Sequence, residues 1–262
     1  MNLTVNCSFP YGHGAIGTAL HGWVPSGGHG IQLSTGELLA PIYNNAGQGL
    51  CISEDFGRSW HAGGWLHGGA SPGAWGPFSG PFEGEVVELF GKTPSGKPRL
   101  LYDCRIKVDS EHGCGAVVAG GRNVSNCRIT YVSENLGKTW SVGRLHPEMA
   151  DPSCKGGIVR QPSRRAGGGG GVLFAVGADN ESERVHDSIW ASVDDGASFP
   201  HKLRVDSSGG YSTVQMTESG LVASVYEDAG GAWNSSVAAA GGCHVRIAMV
   251  DPALILPTIR PK

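Results

Sequence analysis

The chain has 262 residues, 43 of them Gly and 15 Pro, with only 16% charged residues and a formal net charge of -3. That length can bury a large core as one all-β domain, and the turn-forming load with few charges calls for many turns and few surface helices. Phosphate binding needs concentrated positive charge, and the sequence has no Lys/Arg cluster, which excludes nucleic acid as the expected partner.

Strand-like runs fall at 30–33, 37–43, 49–53 and 60–63, then 84–89, 99–105, 127–133 and 140–144. They continue at 156–161, 172–178, 187–193 and 199–205, and then at 212–217, 220–227 and 244–250. Grouped in fours, these runs predict three full blades and a fourth ending near Pro252, with 167–171 and 237–242 as flexible loops. One turn pattern recurs three times: Ser53-Glu54-Asp55-Phe56-Gly57-Arg58-Ser59-Trp60, Ser133-Glu134-Asn135-Leu136-Gly137-Lys138-Thr139-Trp140 and Ser192-Val193-Asp194-Asp195-Gly196-Ala197-Ser198-Phe199. The layout is that of a tight hairpin in which the Asx side chain bonds nearby backbone, Gly takes positive φ and the aromatic anchors the turn in a core. A strand-turn-strand unit repeating at this spacing predicts a β-propeller.

Seven cysteines (Cys7, Cys51, Cys104, Cys114, Cys127, Cys154, Cys243) lack any CxxC pair or zinc-like His spacing, so no metal is expected. Five of the nine asparagines, at Asn2, Asn6, Asn123, Asn180 and Asn234, begin an Asn-x-Ser/Thr site. Chance would give about one, and such sites are glycosylated only in the secretory route. A lumenal, lysosomal or extracellular home is therefore expected; disulfides are permitted there, and the odd cysteine count leaves one thiol unpaired within the chain. The start, Met1-Asn2-Leu3-Thr4-Val5-Asn6, has neither the basic segment nor the apolar run of a leader, and no apolar stretch approaches membrane-span length.

The repeated turn resembles the Asp box (BNR repeat) of the sialidase, or neuraminidase, family, whose members fold as six-bladed propellers of four-stranded sheets. In that family the boxes are structural and lie away from the active site. Asn2-Leu3-Thr4 is similar to the chain just after a second box in lysosomal-type sialidases, and Gly28-His29-Gly30-Ile31-Gln32-Leu33 to their Gly-x-Gly-Ile-Gln strand opening the third blade. The resemblance implies about four blades of a six-bladed sialidase-type propeller, lacking the first one or two. Either the sequence is a fragment or the open ring pairs with something else, since two uncovered blade faces would be large apolar patches.

The resemblance also implies an exo-α-sialidase that needs no cofactor and acts on sialylated glycans. The anomeric carbon of a sialoside already bears a carboxylate, which would repel an anionic nucleophile; sialidases use a neutral tyrosine instead. A phenol with pKa near ~10 is a poor nucleophile until a nearby Glu takes its proton. Gly209-Gly210-Tyr211-Ser212-Thr213 is similar to the family's nucleophile turn, making Tyr211 the candidate nucleophile. Phe82-Glu83-Gly84-Glu85-Val86-Val87-Glu88-Leu89 is similar to the family's Glu-x-x-Val-Val-Glu-Leu strand, making Glu83 the candidate base. Strand alternation places Glu85 on the same side as Glu83, so Glu85 remains a rival, with Glu88 opposite.

Guanidinium groups suit the substrate carboxylate because their planar fork makes paired charge-assisted bonds. Arg105 follows the Glu83 strand as a family clamp arginine does, although Asp103 and Cys104 depart from the local pattern. Arg184 stands one residue further from the third turn motif than in the family. Residues 1–36 contain no Asp, Glu, Lys or Arg, so the family's first clamp arginine and its general-acid Asp have no counterpart there. Glu227, matching the acid that braces that arginine, is expected to stand unpaired near the site. The isolated chain is accordingly expected to be weak or inactive. The reading from a different class is a non-catalytic propeller that binds glycan or protein.

Overall fold

A computed structural model describes residues 24–44, 47–66, 78–79, 83–108, 114, 117–118, 122–162, 170–228 and 244–256. The sites at Asn2, Asn6 and Asn234, the cysteines Cys7 and Cys243, the segments Asn2-Leu3-Thr4 and 237–242, and all but the end of 167–171 lie outside them.

The described chain is an array of antiparallel sheets in sequence order, four blades in a propeller arrangement. Blade 1 pairs Leu38–Asn44 with Gly47–Ser53 and His61–Ala62 on one side, and with Val24–Pro25 and Ile31–Gln32 on the other. Blade 2 runs Gly84–Lys92, Pro98–Cys104, Cys127–Ser133 and Arg144–Ala150; blade 3 runs Gly157–Pro162, Gly171–Ala178, Asp187–Ser192 and His201–Arg204. Blade 4 has three strands, Ser212–Met216, Val222–Asp228 and His244–Val250. First strands converge on a central cleft lined by Ile31, Val87, Glu88, Ile158, Arg160 and Gln215. The blade expectation from the strand runs holds, with one boundary moved.

That boundary is the fourth strand of blade 2, expected at 140–144 and found at Arg144–Ala150. Pro147 sits where the pairing skips from Arg128↔His146 to Cys127↔Ala150, a bulge on an outermost strand, where a proline's missing N–H costs little. Residues 140–143 instead continue the turn, where Ser141 N donates to Val132 O at 2.8 Å.

Strand alternation builds the interior. Along blade 2, Val86, Leu100 and Tyr102 pack with Leu39, Leu50 and Ile52 of blade 1, whereas Val87, Leu89 and Leu101 pack with Ile158, Leu173 and Trp190 of blade 3. The next seam joins Phe174, Val176 and Ile189 to Val214, Val222 and Val250, sealed by Ile255 of a short helix, Pro252–Ile255. Beyond this seam the alternation runs out into solvent: Val245, Ile247 and Met249 on the last strand of blade 4 are 69%, 65% and 53% exposed.

All three repeated turns close as the pattern predicts. The Ser53, Ser133 and Ser192 hydroxyls each accept from the Gly N–H four residues on, at 2.8, 2.8 and 2.9 Å. Asp55, Asn135 and Asp194 each accept the N–H of the following Ser or Thr, at 2.8, 2.9 and 2.9 Å. Gly57, Gly137 and Gly196 hold φ of 84°, 76° and 83°, where a side chain would be strained. Trp140 ties blades together by donating to Gly64 O of blade 1's end at 3.1 Å.

Blade 2 also carries a fully buried ion triad that the sequence reading did not anticipate. Arg128 donates to Asp103 through Nε at 2.9 Å and Nη2 at 2.7 Å, and to Asp151 through Nη1 at 2.8 Å; all three side chains are shut off from solvent. Asp103 thus answers an arginine on the neighbouring strand. Asp151 in turn accepts Cys154 N at 2.7 Å, fixing the link between blades 2 and 3. Three disulfide-bonded cysteines, Cys51 and the Cys114–Cys127 pair, contrast with buried, reduced Cys104 and Cys154. Replacing Arg128 with Met leaves two buried carboxylates without their cation and is expected to cost about 3–5 kcal/mol in denaturant unfolding. Arg58→Met, at an exposed turn position, is expected to stay within about 0.5 kcal/mol; equal effects would show that the triad contributes nothing.

Candidate active site

The loops leading into and out of the first strands place the candidate residues. Glu83 immediately precedes the first strand of blade 2; its carbonyl accepts Arg105 N at 3.1 Å, which brings the two residues side by side at one end of the hairpin. Ser26 pins the next peptide, accepting Gly84 N at 2.7 Å and donating to Gly84 O at 2.9 Å. Gln48 donates to the same Ser26 hydroxyl and to the Tyr102 hydroxyl, so blade 1 backs this end of blade 2 with buried hydrogen bonds.

Tyr211 arrives from the far side, just before the first strand of blade 4. Its hydroxyl donates to Glu83 Oε1 at 3.1 Å. Glu83 Oε2 holds the Arg105 guanidinium at 2.5 Å, and Arg105 Nη1 donates to Ser153 O at 2.9 Å. The Arg105 and Arg184 guanidinium carbons lie 5.4 and 4.8 Å from the centre of the Tyr211 ring. Four of the residues singled out from sequence therefore meet in one constellation, including Arg184, whose offset does not keep it from the ring. Cation–aromatic contact at such distances is attractive and also keeps two positive charges over the face of the tyrosine.

Glu227 corrects an expectation. It does not stand unpaired: its Oε2 accepts Tyr211 N at 3.2 Å, and its own N–H donates to Tyr211 O at 2.9 Å, so it braces the tyrosine backbone. Sequence reasoning missed Tyr43, whose hydroxyl lies 3.5 Å from the same Glu83 Oε1. Nothing in the run Ala40-Pro41-Ile42-Tyr43 distinguishes it from an ordinary strand aromatic.

The rival Glu85 is occupied elsewhere. Its side chain is fully buried, with Oε1 accepting from Lys155 Nζ at 2.6 Å and Thr213 Oγ1 at 2.8 Å. Oε2 accepts Ile158 N at 3.0 Å and meets His29 Nδ1 at 3.4 Å. Burial would push its carboxyl up, but His29 and the Lys155 ammonium outweigh burial and hold it below the usual range. It is thus a carboxylate already saturated with donors, whereas Glu83 shares its hydrogen bond with the tyrosine hydroxyl. Burial raises the Tyr211 phenol above its ordinary value, with Arg105 opposing and Glu83 adding to the rise. Among the described residues no group of His, Cys, Asp or Glu is arranged to hold a metal ion.

No family model matches the chain, and no curated protein matches it. Solved structures do. A Hadza microbial sialidase, Hz136, superposes with a TM-score of 0.63 at 21% identity, covering 89% of this chain and 38% of that one. An intramolecular trans-sialidase from Ruminococcus gnavus, solved with oseltamivir carboxylate, gives 0.61 at 17% identity, covering 91% and 46%. The NanB sialidase of Streptococcus pneumoniae gives 0.60 at 15% identity, covering 85% and 30%. These likenesses establish a sialidase-type propeller fold, and the chain spans less than half the length of each of these neighbours.

One further buried acid stands behind the tyrosine loop. Asp187 accepts Val205 N at 2.9 Å and Asp206 N at 3.3 Å on its main-chain carbonyl and donates its N–H to Ser208 O at 2.8 Å, supporting the segment that leads to Tyr211. Its carboxyl is pushed up to about 8, by burial above all and by the nearby charge of Asp206, against a bond from Ser224. The folded chain therefore holds this proton to higher pH than the unfolded chain, whose aspartates titrate near about 4, and this group's contribution to stability falls as pH rises from about 4 to about 8. Melting temperatures of Asp187→Asn and parent chain are expected to agree near pH 4 and to diverge in the variant's favour toward pH 8. A difference that does not grow with pH would contradict this assignment.

Proposed function

We propose that the chain carries the nucleophile half of an exo-α-sialidase site, hydrolysing terminal sialic acid from glycoproteins, glycolipids or oligosaccharides with retention of configuration. The observation that carries the reading is the Tyr211 hydroxyl at 3.1 Å from Glu83 Oε1, with the guanidinium groups of Arg105 and Arg184 over the tyrosine ring. A phenol hydrogen-bonded to a carboxylate and flanked by two guanidinium groups suits an anionic sugar: the arginines draw its carboxylate in, and the neutral phenol approaches the anomeric carbon without repulsion.

In this mechanism Glu83 accepts the phenol proton as Tyr211 O bonds to the anomeric carbon and the bond to the aglycone oxygen breaks. Water then attacks the same carbon from the side the aglycone left and gives up a proton to solvent, equivalent to the one the departed aglycone oxygen takes up, while the bond to Tyr211 O breaks and Glu83 returns the proton to the phenol. Two inversions give net retention. The aglycone oxygen must also take up a proton, and no residue of the described chain is assigned to supply it. Departure then depends on how readily the aglycone leaves as an anion, and a missing general acid typically costs about 100- to 10,000-fold.

A secretory-route, lysosomal or extracellular home belongs to the same proposal. It is supported by the Cys114–Cys127 disulfide and by the Asn180-Glu181-Ser182 site, where Asn180 Oδ1 caps a turn whose Ser182 and Glu183 are exposed. The second reading, a propeller that binds glycan or protein without turnover, is favoured by one observation: burial raises the Tyr211 phenol above its ordinary value, which opposes its ionisation as a nucleophile.

An assay on two substrates separates the readings. The chain is expected to release sialic acid from an aryl sialoside with an acidic phenol leaving group, and to be about 100- to 10,000-fold slower on a sialylated sugar than complete sialidases are. Tyr211→Phe is expected to abolish release, and Arg105→Met or Arg184→Met to weaken binding of free sialic acid by about 10- to 100-fold, as loss of a charge-assisted bond does. Binding without release from either substrate would favour the glycan-binding propeller. Release that survives Tyr211→Phe would overturn the mechanism.

A further inference from the structure

The Glu85–Lys155 pair has no part in the mechanism above, yet it is tied closely to two of its members. Glu85 stands two residues after Glu83 on the same strand. Lys155 grips the peptide that follows Tyr211 at both ends: its main-chain carbonyl accepts Ser212 N at 3.0 Å, and its ammonium donates to Ser212 O at 2.7 Å. Thr213 then donates to Glu85 itself at 2.8 Å. Ser153, two residues before Lys155, supplies the carbonyl that orients Arg105. One buried pair is thus close along the chain to the base and to the arginine's anchor, and hydrogen-bonded to the two residues that follow the tyrosine.

Space is reserved for it. A Cβ on Gly28 would fall 2.3 Å from Glu85 Cγ, and one on Gly157 would fall 2.7 Å from Oε2, so both neighbours must be glycine for the carboxylate to lie where it does. Lys155 and Glu85 are 2% and 0% exposed in their side chains. Burying two charges is expensive, and a neutral apolar pair of the same volume is often as stable or more so. What a charged pair adds is short, directional bonding that defines a separation.

Resting on the sialidase reading above, we infer that Glu85 and Lys155 are positioning residues that set the approach of Tyr211 to Glu83. They touch no substrate; they fix where the phenol stands relative to its base. The ties run through backbone on one side (Ser212) and a side-chain hydroxyl on the other (Thr213), so shifting either charge moves the tyrosine loop as a unit.

Single variants risk unfolding because each leaves a buried charge alone, so the decisive variant is the double Glu85→Gln/Lys155→Gln, which is neutral and still able to hydrogen-bond. Three quantities are compared with the parent chain: the melting temperature, the titration of Tyr211 followed by NMR with carbon-13 at the tyrosine ring Cζ, and turnover of the activated aryl sialoside. The double variant is expected to melt within a few degrees of the parent and to keep its affinity for free sialic acid within about threefold. Its Tyr211 titration is expected to move toward that of free tyrosine, and its kcat to fall at least tenfold with KM little changed. A double variant that folds and also keeps the parental Tyr211 titration and kcat would reduce the pair to a structural one and overturn the inference. The titration needs no substrate, so it still decides the positioning role if the parent chain proves unable to hydrolyse sialosides at all.

Discussion

A carboxylate and an ammonium removed from water must be joined to each other and to every other donor and acceptor within reach, because leaving either alone costs several kcal/mol. In this propeller that requirement falls on Glu85 and Lys155, where the first strands of blades 2, 3 and 4 come together and the loop bearing His29 approaches from blade 1. The arrangement does more than join blades. Glu83 and Ser153 each lie two residues from a member of the pair, and the residues after Tyr211 are hydrogen-bonded to it through Ser212 and Thr213, so the register of the inner strands and the geometry of the site are the same constraint seen from two sides. The second buried network, Arg128 with Asp103 and Asp151, works one layer outward and holds the link on which Ser153 and Lys155 sit.

Much of the fold was legible in the sequence because its signals are local. The turn motif around Asp55, Asn135 and Asp194 needs only a hydroxyl, an Asx side chain and a glycine at fixed spacing, and these bonds form whatever the rest of the chain does. The run Val86-Val87-Glu88-Leu89 likewise marks a strand, which the structure buries on both faces. The strand expected at 140–144 was found at Arg144–Ala150, because the turn bonds of Ser141 and the bulge around Pro147 are properties of the sheet and not of the segment.

The site was legible in its members and not in its wiring. Tyr211, Glu83, Arg105 and Arg184 could be nominated from motif context, but the choice between Glu83 and Glu85 could not be made from strand period, which puts both on one side. Lys155 decides it by claiming Glu85 from another blade, with 70 residues of chain between the partners. Glu227 was misread for the same reason: it accepts from the backbone of Tyr211, reached across a strand pair. Tyr43 carried no local mark at all. Long-range polar pairing is set by the fold, so a sequence shows the groups that need partners without showing which they take.

The reading turns on whether Tyr211 forms a bond to sialic acid. A sialyl fluoride carrying a second fluorine beside the anomeric carbon tests this without a general acid, because fluoride leaves unprotonated and the neighbouring fluorine slows hydrolysis of the adduct. The chain should gain the mass of one fluorosialyl group, and peptide mapping should place it on Tyr211, with Tyr211→Phe unlabelled. A chain that binds the reagent and stays unmodified, or that carries the label on another residue, would contradict the assignment of Tyr211 as nucleophile.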